Sequence, residues 1–189
     1  MNATDISTYT NVATLLIISG SAIVAVVHMS HVRRSNELEA VLALQQDFKS
    51  PELQAALHYV QSRLPERLQD ASYRDELAAL GFVSVERHPE LIACNWFAQM
   101  GTFLKHGLIT ESTLMDLYAR LIRYYWRALS PVIAIMRRRR GQGQYSDFEF
   151  LAMRAEAWLK RNDRGVLPGS GIRGELADPW REDLPQQSL

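Results

Sequence analysis

The sequence predicts an all-α fold: one N-terminal transmembrane helix, a cytoplasmic helical bundle after it, and a disordered C-terminal tail. Three observations lead there. An apolar run from Val12 to Met29 holds no acidic or basic side chain apart from His28, and up to Val27 its only polar side chains are Thr14, Ser19 and Ser21. Downstream, apolar residues recur at helical spacing between capping residues and glycine stops. The one stretch with strand character, "FVSVERHPE" from Phe82 to Glu90, is too short and isolated to build a sheet.

Taken in order, the run from Val12 to Met29 makes about 27 Å of helix, close to a hydrocarbon core of about 30 Å. A secretory signal wants basic residues before the run and a small-x-small site after it, whereas the flanks here are "MNATDIST" and "VVHMSH". A soluble core helix would carry a polar face. Arg33 and Arg34 follow the run directly and no basic side chain precedes it. The flanking charge therefore sets the N-terminus outside and the domain inside, as a single-pass membrane protein. The expected divisions are a short extracytoplasmic N-terminus (1–10), the span (11–29), the cytoplasmic domain (30–163) and the tail (164–189). Small residues at Ser19, Gly20, Ser21 and Ala25 would let a second membrane helix approach closely.

The span continues as one helix, with a stripe at Leu38, Val41, Leu42, Gln45 and Phe48. "KSPEL" restarts the chain: Ser50 caps, Pro51 suits the first turn and Glu52 meets the positive end of the dipole, for a helix from Pro51 to Arg63. Pro65 interrupts or restarts it. Leu68, Tyr73, Leu77 and Leu80 predict a short helix ended by Gly81, and "FVSVERHPE" a connector. A core helix spans Pro89 to His106, carrying Leu91, Ile92, Trp96, Phe97, Met100, Phe103 and Leu104 and stopped by Gly107.

Thr110 caps a long helix through Leu114, Leu117, Leu121, Ile122, Tyr125 and Leu129 to Gly141, which Pro131 should kink. Ser146 and Glu149 make a capping box for a last helix to Lys160. Beyond Asn162 the sequence is rich in Gly and Pro and has no period, so it reads as tail; Trp180 beside Pro179 reads first as an incidental tail aromatic and second as a short linear motif for a partner.

A formal net charge of zero excludes a global field that recruits nucleic acid, so any electrostatic partner meets a local patch. The sharpest is Arg137, Arg138, Arg139 and Arg140, before Gly141. Cations followed by glycine are what a helix C-terminus favours, and lipid or partner contact is the functional reading. Nucleic acid is disfavoured, for want of any RNA-binding or recognition-helix pattern.

His28 and His31 lie one turn apart without Cys or acidic companions and read as interfacial; His58, His88 and His106 are scattered. No metal signature, phosphate loop or nucleophile with its base is present, so the expectation is no metal, no cofactor and no catalytic residue. The single Cys94 lies on an apolar helix face as a buried thiol, and Asn95 beside it as a buried polar group fixing register.

From Asn95 to Ala155 the order of residues resembles the bacterial domain of unknown function 4760 family. The resemblance rests on Asn95 with Trp96, Gly107 to Ile109, Trp126 with Pro131, Arg137 to Arg140, and Tyr145, Phe148, Glu149 and Leu151. The lead-in from Arg33 to Val60 extends it. It implies a small helical domain, often membrane-anchored, without an assigned reaction, so no catalytic residue carries over. The expected function is a membrane-anchored scaffold or accessory domain that binds a protein partner or a second copy of itself. The second reading is a membrane-linked stress or phage-defence effector or enzyme whose site forms between chains.

Overall fold

The computed structural model describes residues 3–162, and all seven of its elements are α-helices, with no strand among the described residues. They are α1 (Ala3–Phe48), α2 (Pro51–Ser62), α3 (Leu64–Arg67), α4 (Ala71–Ala78), α5 (Glu90–Lys105), α6 (Glu111–Arg140) and α7 (Ser146–Arg161).

Local chemistry sets most boundaries. Ser50 Oγ accepts the Leu53 N–H at 3.3 Å with Pro51 at the start of α2, and Asp70 accepts the Ser72 N–H at 2.9 Å to open α4. Thr110 caps α6 through the Thr113 N–H, and Gly141 ends it with φ of 85°, a backbone state that glycine reaches without a Cβ clash. As the sequence predicts, Pro65 restarts the chain, as α3, and Gly107 stops α5.

The last helix departs from expectation. Ser146 is its first residue rather than its cap; the cap position is Tyr145, in the left-handed region at φ of 56°, with no side-chain cap. The capping box does not form, because Glu149 turns instead to Arg137, 2.7 Å away. Helix α6 runs on through Pro131 without ending.

The core is one cluster fed by every helix. Phe97 of α5 stacks on Phe148 of α7 at 4.8 Å, and Trp126 of α6 meets Phe148 edge-on at 5.0 Å. A Cβ placed on Gly101 would lie 2.0 Å from the Asp147 carbonyl oxygen, so α5 and α7 cross with their backbones touching, and glycine is what permits it.

Helix α1 joins the bundle through its final turns. Leu44 is fully buried, Phe48 stacks on Trp96 at 5.4 Å and lies 6.2 Å from Tyr118, and Glu37 accepts the Thr110 N–H at 2.9 Å and its hydroxyl at 2.8 Å. The expected stripe is therefore shifted: Leu44 enters the core, while Leu38 and Leu42 are exposed. Leu80 and Leu117, which belong to the predicted apolar periods of their helices, are exposed as well, because α4 ends at Ala78 and because only one face of α6 is covered.

Among the described residues no helix is long and apolar enough to cross a membrane. The side chains of 3–19, 22, 23, 30 and 33 lie outside that description, and with them most of the apolar run, Ser19 included. Gly20, Ser21 and Ala25 are exposed, as are His28 and His31. The tail from 163 onward, with Trp180, also lies outside the described residues.

Candidate functional site

The four arginines that end α6 do not form one patch. Arg137 Nε donates to the Gln144 carbonyl at 2.9 Å and its guanidinium pairs with Glu149, so it ties α6 to the start of α7. Arg140 donates to the Ala79 carbonyl at 2.7 Å and the Gly81 carbonyl at 2.9 Å, so it clamps the loop after α4. Arg138 and Arg139 face solvent. On the clamped loop Leu80 is 71% exposed and Phe82 92% exposed. A large apolar side chain held in water on a fixed loop is chemistry suited to a protein contact.

This end of α6 is remote from the α1 junction. The pairs Glu37 with Thr110 and Phe48 with Tyr118 show α1 running alongside the first turns of α6 in the same direction. From Thr110, α6 then rises about 45 Å to Arg140.

A second feature went unread in the sequence, where His88 looked isolated. Glu90 is fully buried and accepts the Tyr73 hydroxyl at 2.6 Å; His88 Nδ1 lies 3.1 Å from the same carboxylate oxygen. His88 Nε2 lies 3.2 Å from Glu76, which also meets Arg87 at 3.3 Å. Tyr59 reaches Tyr73 at 3.1 Å, and the Arg67 guanidinium covers the Tyr73 ring. A neutral imidazole has a single N–H, so both carboxylate contacts are hydrogen bonds only if His88 carries two protons or one carboxyl carries one. Burial, with the hydroxyl turned toward Glu90, pushes the Tyr73 phenol far up. The group thus runs as a polar chain from the half-exposed Glu76 to the buried Glu90, whose other oxygen has no hydrogen-bond partner among the described residues.

None of the three described clefts is lined by Tyr73, His88 or Glu90. Cys94 is buried as expected, and burial raises its thiol pKa, which makes it a poor nucleophile. Asn95 is exposed rather than buried; its oxygen accepts the Tyr145 hydroxyl at 2.9 Å. Among the described residues no group of three or more His, Cys, Asp or Glu is arranged to hold a metal.

The clefts differ in character. The largest of the three, about 820 Å³, opens between Arg34 and Glu37 of α1, the α5–α6 turn and α7, beside the pairs of Arg154 and Arg161 with Glu111 and of Lys105 with Asp147. A groove of about 540 Å³ lies between α6 and α7, and a third cleft of about 350 Å³ borders Trp96.

The model of the domain of unknown function DUF4760 matches residues 15–155. The chain belongs to this family. No curated protein and no solved structure matches it. The DUF4760 match begins inside the apolar run and ends within α7, leaving the tail outside. The residues that carry the resemblance now have positions: Trp96 and Asn95 on α5, Trp126 and the arginines on α6, and Tyr145, Phe148 and Glu149 at the head of α7. Six of them meet at one joint, through Tyr145 on Asn95, Glu149 on Arg137, and Trp126 on Phe148. In this DUF4760 chain that part of the motif fastens α7 to the bundle.

Proposed function

We propose that this chain is a membrane-anchored interaction domain, with α1 as its anchor in the cytoplasmic membrane of a bacterium, its N-terminus outside, and the bundle presenting a contact surface for a protein partner or a second copy. The observation that carries the reading is α1 itself. It is 46 residues long, about 69 Å of helix, and joins the core near its C-terminal end. Val24, Val26 and Met29 are each more than 65% exposed, a state that water penalises and that lipid or another helix relieves.

The contact surface is Phe82 with Arg138 and Arg139. Its separation from the α1 junction along α6 supports a protein rather than a lipid as the partner of these arginines. Membrane lipid is assigned to α1, where Gly20, Ser21 and Ala25 supply room for helix packing.

Topology is tested with a membrane-impermeant maleimide on the full chain, using Asn2→Cys and Arg139→Cys; buried Cys94 gives a low background. Labelling of the first in intact cells, and of the second only after lysis, is expected. Labelling of the second in intact cells, or recovery of the protein in the soluble fraction, overturns the anchor. Gentle detergent extraction then tests the surface: a stoichiometric partner or defined oligomer, lost in Phe82→Ser with Arg138→Ala and Arg139→Ala, is expected, and a bare monomer overturns it.

A further inference from the structure

The groove between α6 and α7 has an apolar floor of Trp126, Ala152, Met153 and Ala157 and a basic rim of Arg123, Arg127 and Lys160. Its one acid is Glu156, 3.9 Å from Lys160. Met153 is 68% exposed in the middle of this floor. The site asks for a ligand with an apolar anchor and surplus negative charge. Its volume, about 540 Å³, is in the range of sites that accept one large side chain with its neighbours.

We propose that the occupant is residues 175–183 of the same chain, with Trp180 on the apolar floor and the flanking acids against the arginines. The sequence "ELADPWRED" has Glu175, Asp178, Glu182 and Asp183 around Trp180, opposed only by Arg181, which complements Glu156. The preceding stretch, 163–174, has the opposite balance, with Arg164 and Arg173 against Asp163, so charge selects the distal segment and sets its register.

Reach agrees. The groove is lined up to Lys160, two residues before Asn162, and extends back to Ala152, about 15 Å along α7. Twelve residues, 163–174, separate Asn162 from Glu175, and a chain of that length spans up to about 40 Å when extended, so the segment can reach the groove. Tethered this closely, the segment is present at an effective concentration on the order of millimolar, so weak contacts suffice for occupancy. The groove is therefore self-covered, and a partner that uses it competes with the chain's own terminus. This inference is independent of the membrane reading.

The test places a photoreactive benzoylphenylalanine at Met153 of the full-length chain, mixed in equal parts with an isotope-labelled copy, and maps the cross-linked peptide. A peptide containing Trp180, joined within one chain, is expected. Its yield should fall by about tenfold or more in Trp180→Ala, the loss of a central aromatic anchor. It should fall likewise in Arg123→Glu with Arg127→Glu, and recover when Glu182→Arg and Asp183→Arg are added. No cross-link to 175–183, a cross-link between chains of different label, or a yield indifferent to Trp180→Ala overturns the proposal.

Discussion

Tyr73 is the side chain on which the buried polar group turns. Its hydroxyl hydrogen-bonds with Glu90 at 2.6 Å and lies 3.1 Å from Tyr59, and without it the fully buried Glu90 keeps only His88 as a partner and bears an uncompensated desolvation cost. Tyr73→Phe keeps the ring and removes that hydroxyl, so urea unfolding should show a loss of about 1–3 kcal/mol. No loss would mean that His88 alone satisfies Glu90. Asp147 sets the acid side of stability: a hydrogen bond from Thr102, then one from Lys105, holds its carboxyl below the usual range. A carboxyl with a lowered folded pKa contributes stability that is complete above its unfolded value, about 3.9, and is lost as pH falls through the folded one. Stability should therefore decline on acidification below about pH 4, and Asp147→Asn should flatten that limb while costing stability at neutral pH. A parallel decline in both proteins would remove Asp147 as its source. None of this was legible in the sequence, since Tyr73, Glu76, His88 and Glu90 come from α4, α5 and the segment between them and share no period.

Helices were the readable level. Ser50 with Pro51, Thr110, Gly107 and Gly141 carry their boundaries in their own chemistry, and α2, α5 and α6 fall within a residue or two of expectation. Where packing decides, the reading failed. Leu38, Leu42 and Leu117 follow a helical period but stay exposed, because α1 docks by a narrow face and α6 is covered on one side. Ser146 and Glu149 have capping-box spacing, yet Arg137 claims the Glu149 carboxylate. Tyr145 then takes the left-handed turn, at a cost of about 1–2 kcal/mol for a non-glycine residue. The closest fit between elements is at Gly101. Gly101→Ala drives a methyl into the Asp147 backbone, which no rotamer relieves, so α7 must move. Overpacking of this kind costs about 1–3 kcal/mol. Thermal melts should show a lower midpoint, and hydrogen exchange should quicken first at 146–150. An unchanged melt would mean that the helices have slack at their crossing.

For the whole molecule the division of labour is between α1 and the bundle. Val24→Asp puts a charge in the apolar run, which costs about 2.5–3.5 kcal/mol at the centre of a spanning helix. Membrane fractionation should then show part of the protein displaced to the soluble fraction, with the bundle folded as judged by circular dichroism. Retention in the membrane would mean that the bundle itself holds the lipid surface. The consequence that reaches furthest comes from α6, which is clipped to α1 through Thr110 at one end and grips the Phe82 loop through Arg140 at the other. A stiff helix held at both ends couples them mechanically: any tilt of α1 against the bundle is carried along some 45 Å of α6 toward the Phe82 loop.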